Sequence, residues 1–120
     1  MLKDEDMKVT RSRDVPKQAV NVEGAQGVEI RWLISKDDGA PNIAMRMFEV
    51  QPGGHTPLHT HPHEHEVFIV EGEGVFVCEG EQYPFGAEHV IFVPGGKQHQ
   101  FKNTGDSILR FLCIIPISAA

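Results

Sequence analysis

The stretch HTHPHEHE, residues 59–66, places a histidine at every second position, which makes it a candidate metal site. In an extended strand, side chains two residues apart lie on the same face, about 6.6 Å apart along the chain. His59 and His61 therefore face the same way, and two imidazoles at that spacing can bind one ion. Imidazole suits Fe, Cu, Ni and Zn and, less strongly, Mn. The pair predicts metal chemistry, and a solvated polar loop remains the alternative.

Two further histidines can join this pair. His65 follows a Pro-His-Glu bend and begins the apolar segment EVFIV, from which it can return to the same face. His99 follows the turn at residues 94–96 and begins another strand. A leftover affinity tag does not explain the pattern, because tags are terminal and uninterrupted, whereas this stretch is internal.

Short strands must position these side chains. The 12 glycines and eight prolines are scattered at short intervals, which leaves little room for a long helix. The segments between them are rich in Val, Ile and Phe and often alternate in polarity, as strands do. Strands are predicted at residues 28–35, 43–50, 66–70, 74–79, 89–93, 99–103 and 108–115. The pattern predicts an all-β sandwich or barrel.

Turn sequences separate these segments. Residues 71–74, Glu-Gly-Glu-Gly, predict a tight hairpin between the strands on either side. Residues 51–54, 94–96 and 103–106 predict further turns. Residues 1–22 are polar, and we expect them to form an N-terminal arm or an extra strand that pairs with a second subunit. Residues 23–120 are expected to form the barrel domain.

Composition and charge exclude several classes of partner. The 120 residues carry a net charge of −6, with no Lys or Arg between Arg46 and Lys97. Nucleic-acid surfaces need clustered positive charge, so we exclude nucleic acid as a partner. No apolar run approaches the roughly 20 residues that span a bilayer. The charged N-terminus lacks the apolar stretch of a signal peptide. We therefore expect a cytoplasmic protein without a membrane partner.

The histidines lie in two motifs that resemble those of the cupin superfamily. The first cupin motif, G-x5-H-x-H-x(3,4)-E-x6-G, matches residues 53–72, which include His59 and His61. The second motif, a glycine followed by P-x-G-x2-H-x3-N, matches residues 86–103, which include His99. The two motifs stand in the correct order, and the resemblance covers roughly residues 43–116.

One position departs from the first motif. Where the motif has glutamate, six residues before Gly72, this chain has His65, and Glu66 follows it. Neighbouring residues in a strand face opposite sides, so only one of the two can face the ion. The spacing favours His65 over Glu66. The chain is thus similar to the small, single-domain, manganese-binding cupins with four histidines. The ligand set that this resemblance implies is His59, His61, His65 and His99.

The resemblance implies a double-stranded β-helix, or jelly-roll barrel, with one divalent metal ion inside. Manganese is the first expectation and iron the second, with Ni, Cu and Zn left open. Small metal-binding cupins include dioxygenases, so the implied activity is a dioxygenase-type oxidation of a small organic substrate. No residue stands out as a catalytic base. The alternatives are a non-catalytic binding or sensing module and a metal-assisted isomerase or lyase.

The remaining side chains receive plainer predictions. We expect Arg46 and Arg110 on the solvated exterior of the barrel, and Met45 and Met47 in its core. Cys113 is expected to be a small buried hydrophobe, with the cavity wall as the alternative.

The other histidines are expected to lie at the surface. His55 and His63 are on turns flanked by Pro and Gly, and nothing favours a role for His89. Trp32 suits a subunit interface, and the exposed edges of small barrels favour a homodimer. Cys78, like Cys113, lies in an apolar segment without CxxC spacing, so both are expected to be reduced thiols.

Overall fold

The computed structural model describes residues 2–4, through their backbone, and residues 7–120. The regular structure in these residues is strand, apart from 3-10 helices at Ser12–Asp14, Lys36–Asp38 and Ile117–Ala119. No helix in this part of the chain is long and apolar enough to cross a membrane. The strands are β1 (Leu2–Asp4), β2 (Met7–Val9), β3 (Lys17–Ala19), β4 (Gln26–Ile34), β5 (Ile43–His55), β6 (His65–Glu71), β7 (Gly74–Cys78), β8 (Glu81–Phe85), β9 (Val90–Val93), β10 (His99–Asn103) and β11 (Leu109–Pro116).

Strands β3 to β11 form one antiparallel sheet that curls into a barrel. The strand order is β8-β7-β10-β5-β11-β6-β9, and β4 pairs with β3 and β5. Strand β5 pairs with β11 as far as Val50 and then reaches β10, where His55 lies opposite Lys102. This long strand joins the two halves of the sheet. The result is the all-β jelly roll that the sequence predicted.

Alternate side chains from both halves fill the barrel interior. Every second residue of β11 is buried. The rings of Phe76, Phe101, Phe111 and Phe48 form a row, with successive centroids 5.0, 4.8 and 5.2 Å apart. Aromatic pairs at this spacing contribute beyond the area that they bury. The row connects β7 and β10 to β11 and β5, and so holds the two halves together.

The predicted hairpin at residues 71–74 is wrong. β6 pairs with β9 and β11, whereas β7 pairs with β8 and β10, so the segment crosses from one half of the barrel to the other. Gly72 has φ +94, and a Cβ there would lie 2.6 Å from the Ile108 carbonyl oxygen. A Cβ at Gly74 would collide with the Lys102 carbonyl oxygen. The glycines allow the backbone to pass close to neighbouring strands where it crosses the barrel. Their spacing is the same as in a hairpin turn, so the local sequence does not distinguish the two.

The predicted turn at residues 51–54 is a bend within β5. The strand continues to His55, with φ +80 at Gly53, and the irregular register of β4 against β5 lies beside this bend. β8 was not predicted, because its sequence EQYPF carries a proline and little alternation. It lies at the edge of the sheet, where proline is tolerated.

The N-terminal segment packs against its own barrel. β3 pairs with β4 of the same chain, with Lys17 opposite Arg31. Val20 donates its backbone N–H to the Val28 carbonyl at 2.9 Å, and β1 pairs with β2. Residues 1, 5 and 6 of the predicted arm lie outside the described residues. The domain boundary at residue 23 stays a prediction.

A charge cluster lies on the outer face of β5. Glu49 is only 6% exposed, and its carboxylate lies 3.2 Å from Arg31, 3.5 Å from Arg110 and 3.6 Å from Lys17. Burial alone would raise the pKa of Glu49, but the hydrogen bond and charge of Arg31, with the charges of Lys17 and Arg110, outweigh burial and hold that pKa below its ordinary value. The cluster fastens β3, β4, β5 and β11 together.

Candidate metal centre

Backbone pairing between two loops brings the predicted histidines together. His59 forms an isolated antiparallel bridge with His99, with N–H to carbonyl distances of 3.1 and 2.9 Å. The carbonyl of His61 accepts a hydrogen bond from the Gly96 N–H at 2.6 Å. His65 and His99 are the first residues of β6 and β10. The loop after β5 is thereby tied to the turn before β10.

The four imidazoles form one cluster. Ring centroids are 4.0 Å apart for His59 and His61, 5.0 Å for His59 and His99, and 4.9 Å for His65 and His99. His61 lies 5.4 Å from His65 and 5.6 Å from His99. His65 and His99 are buried, whereas His59 and His61 are half-buried. The structure therefore brings together all four histidines that the sequence predicted as ligands.

The donor geometry fits a metal ion. The Nε2 atoms of His59 and His61 are 3.1 Å apart. Two nitrogens that bind one ion at about 2.1 Å, with their bonds at a right angle, are separated by about 3.0 Å. His99 Nδ1 lies 2.8 Å from the Lys97 carbonyl oxygen, to which it can donate, so Nε2 is the ring nitrogen left available to a metal ion. His65 Nδ1 is buried with no hydrogen-bond partner, a condition that a bound ion or water would relieve.

Burial keeps the imidazoles neutral. Burial first, and then the neighbouring imidazoles and Arg46, lower the pKa of His59 to about 4 and that of His65 to about 3. Burial is also the largest cause of the lowered pKa of His61 and of His63. At neutral pH these rings therefore offer lone pairs and no charge.

His63 lies closer to the cluster than the sequence predicted. It is half-buried, not exposed, and its ring centroid lies 4.8 Å from that of His61 and 4.8 Å from that of His65. Within the described residues, two overlapping triplets place their ligand atoms within 4.8 Å of one another. One is His59, His61 and His99, and the other is His61, His63 and His65. His61 belongs to both.

Other predicted positions are mostly as expected. Glu66 is exposed on the face opposite His65, as strand alternation requires. His89 is exposed, with Nδ1 near the Gly86 backbone. His55 is half-buried, not exposed, and its Nδ1 lies 3.3 Å from the Thr56 carbonyl. Both cysteines, Cys78 and Cys113, are free thiols, as predicted.

The histidines open onto a cavity of about 550 Å³ inside the barrel. Most of its wall is apolar, and the largest contributions come from the loop after β5 and from strands β4, β5, β10 and β11. Val20, Val22 and Glu23 also line it, so the segment after β3 forms part of the wall, which the sequence did not predict. The complete lining is Val20, Val22, Glu23, Val28, Ile30, Arg46, Phe48, Thr56, Pro57, Leu58, His59, His61, His65, His99, Phe101, Phe111 and Cys113.

The prediction that Arg46 lies on the solvated exterior is wrong. Arg46 lines the cavity, where its Nη2 donates to Cys113 Sγ at 2.9 Å. Met47 is buried on the other face of β5, away from the cavity, and Met45 lines a separate small cleft. Both faces of residues 43–50 carry apolar side chains, so alternation alone did not identify the inner face. Arg110 does lie outside, paired with Glu71 at 3.0 Å.

Comparison with known proteins identifies the fold family. A family model described as the cupin domain matches residues 46–115. The chain belongs to the cupin family. This cupin is 37% identical over 113 residues to a curated protein of Thermotoga maritima named oxalate-binding protein, a match that covers 89% of this chain and 92% of the relative.

Two solved structures resemble this cupin closely. The crystal structure of a polyketide cyclase from Streptomyces resistomycificus superposes with a TM-score of 0.87 and 35% identity, covering 92% of this chain and 80% of the cyclase. That of a predicted oxalate decarboxylase from Thermotoga maritima has a TM-score of 0.82 and 32% identity, covering 91% of this chain and 98% of the other. The activities for which these relatives are named differ, so membership of the family establishes the scaffold and the chemistry depends on the residues of the site.

Proposed function

We propose that this cupin holds one divalent metal ion with His59, His61, His65 and His99, and acts as an oxidoreductase of the dioxygenase type on a small organic molecule. Support comes above all from the convergence of these four imidazoles on one cavity, with two Nε2 atoms 3.1 Å apart. Manganese is the metal we propose first and iron second, with Ni, Cu and Zn as the remaining candidates.

The chemistry follows from the charges in the cavity. Four neutral ligands leave the charge of a divalent ion uncompensated, so an ion held by these histidines would supply Lewis-acid and redox chemistry toward an anionic or enolate-like oxygen. A dioxygenase places both atoms of O2 in its product and needs no external reductant. The chain itself contributes walls such as Phe48, Phe101 and Phe111, which exclude water from the reaction.

A non-catalytic binding protein is the second candidate. It is favoured by the relative from Thermotoga maritima that is named for binding oxalate, because the match extends over 92% of that protein. A metal-assisted isomerase or lyase acting on a phosphorylated substrate has less support, since Arg46 is the only cationic side chain besides histidine that the described part of the chain contributes to the cavity lining.

The first experiment measures metal content and oxygen consumption. Untagged protein, purified without chelating resin, is analysed by mass spectrometry beside His65→Ala, His99→Ala and Glu66→Ala variants. We expect about one metal ion per chain, lost in both histidine variants and retained without Glu66. An oxygen electrode then follows the loaded protein with a panel of enolic, phenolic and catecholic compounds.

The outcomes separate the candidates. Oxygen uptake with at least one compound supports the dioxygenase. Metal with ligand binding but no oxygen uptake supports the binding protein. No metal in the wild-type protein, even after loading, would overturn the metal centre itself.

We also propose that the protein is a cytoplasmic homodimer. Phe68, Val90 and Phe92 are exposed apolar residues on β6 and β9, and β9 lies at the end of the strand order. Such a surface favours association. Light scattering at micromolar concentration tests this expectation, and a monomeric mass would contradict it.

A further inference from the structure

Arg46 carries a positive charge into the cavity, where it has no acidic partner among the described residues. It lies on β5 directly opposite Cys113 of β11, and its Nη2 donates to the Cys113 thiol at 2.9 Å. Its guanidinium carbon lies 4.9 Å from the ring centre of Phe48 and 5.7 Å from that of Trp32. These contacts fix the position of the guanidinium, but rings and a thiol are weak partners for a full charge.

On the outer face of the barrel, by contrast, the arginine charges are compensated by a carboxylate. Arg31 and Arg110 lie 3.2 and 3.5 Å from the buried carboxylate of Glu49. Among the described residues, no carboxylate forms an ion pair with Arg46, and its Nε is buried without a hydrogen-bond partner. Glu23, which also lines the cavity, is exposed and makes no ion pair with Arg46. A charge held among apolar groups is costly unless it is paired.

We infer that Arg46 is the anchor for a ligand carboxylate, and that the cavity accepts a carboxylic acid with an apolar body and a second oxygen atom directed at the histidines. Guanidinium and carboxylate match as a planar, two-pronged pair. A single arginine without lysines suits a carboxylate better than a phosphate. The apolar body follows from walls such as Val28, Ile30 and Phe111.

The two parts of this inference rest on different observations. The carboxylate anchor rests on Arg46 alone and requires no metal. The second oxygen atom rests on the proposed function, because it needs an ion on the histidines in the same cavity. A binding experiment with and without metal therefore tests the two parts separately.

Trp32 provides the measurement. It is the only tryptophan of the chain and its ring lies 5.7 Å from the Arg46 guanidinium, so its fluorescence should change when an anion binds there. Metal-free protein, kept in chelator, and manganese-loaded protein are each titrated with isocaproate, its neutral amide isocaproamide, and the keto acid α-ketoisocaproate. Calorimetry checks the affinities.

We expect isocaproate to bind metal-free protein and isocaproamide to bind at least 10-fold more weakly. Arg46→Gln should weaken isocaproate binding by about 10- to 100-fold, the range for a lost charged hydrogen bond. Arg46→Lys, which keeps the charge but loses the two-pronged geometry, should lie between. Arg110→Gln, on the outer face, is the matched control and should bind as the wild type does. Manganese should strengthen binding of the keto acid more than that of isocaproate.

The other outcomes of the titrations distinguish a failure of the carboxylate anchor from a failure of the proposed metal centre. Equal affinity for acid and amide in wild-type protein overturns the anchor without any variant. Carboxylate binding that requires manganese and is unchanged in Arg46→Gln also overturns it, but leaves the proposed metal centre intact. Carboxylate binding at Arg46 in a protein that takes up no metal supports the anchor and overturns the proposed function. No binding of either acid, with or without manganese, overturns the inference.

Discussion

Replacing Glu49 by glutamine should destabilise the barrel by about 2 kcal/mol at neutral pH. The glutamine amide keeps the shape of the side chain, and its oxygen can still accept a hydrogen bond from the Arg31 N–H. The substitution therefore removes the negative charge. A hydrogen bond to a charged group contributes about 1 kcal/mol more than a neutral one. The substitution also leaves Arg31 without its carboxylate partner, whereas Lys17 and Arg110 keep theirs in Glu29 and Glu71. The partial exposure of the cations to solvent limits that second contribution.

The effect should depend on pH in a specific direction. The folded-state pKa of Glu49 is held below its ordinary value of 4.5. Such a carboxylate contributes stability that is fully present above the unfolded-state pKa and is lost as the pH falls through the folded-state pKa. The difference between wild type and Glu49→Gln should therefore be constant from neutral pH to about 5 and shrink at lower pH. Histidine titration affects both proteins equally and cancels in the difference.

Urea unfolding, followed by Trp32 fluorescence at a series of pH values, measures this difference. The midpoint of thermal unfolding should fall by roughly 5–10 °C at neutral pH. Glu71→Gln is the matched control, because Glu71 also pairs with Arg110 but is exposed, and it should cost less than about 0.5 kcal/mol. Equal effects of the two substitutions, or a difference that persists undiminished in acid, would refute the argument that burial of the charge cluster stabilises the barrel.

Three further predictions test the fold and the site. Asn103→Ala should cost about 2–4 kcal/mol, measured by urea unfolding, because this buried amide makes three hydrogen bonds of 2.9 Å, two that close the turn before β11 and one to the Val50 carbonyl of β5. Gly74→Ala should prevent stable folding, since its Cβ meets a neighbouring carbonyl, whereas Gly86→Ala, with no atom within 4 Å of the added carbon, should melt like the wild type. Added manganese should raise the melting temperature of the wild type and of Glu66→Ala but not of His65→Ala, and an equal rise in all three would place the ion elsewhere.

Local patterns in the sequence predict much of this structure. All seven predicted strands are present, because most of them are short segments rich in Val, Ile or Phe that lie between turn residues. The orientation of His65 and Glu66 also follows from alternation: the structure buries His65 and exposes Glu66. The histidine cluster was predictable because its members belong to two motifs whose spacing is visible in the chain.

Features that depend on distant parts of the chain were not predictable. Residues 71–74 have the composition of a hairpin, and only the pairing partners of β6 and β7 show that they cross the barrel. Val20 and Val22 reach the cavity because β3 pairs with β4, which nothing in the polar N-terminal sequence indicates. His63 approaches the cluster because the loop after β5 folds back on the turn before β10.

The two faces of β5 differ in whether their charged side chains are paired. On the outer face, the carboxylates of Glu49, Glu29 and Glu71 compensate the three cationic neighbours of Glu49, so these charges stabilise the fold. On the inner face, Arg46 contacts two aromatic rings and a thiol. A carboxylate of the chain beside Arg46 would neutralise it and would also compete with a ligand for any ion on the histidines. Among the described residues Arg46 has no carboxylate partner, so it places an uncompensated positive charge in its part of the cavity, and for this reason we infer that an organic anion is its ligand.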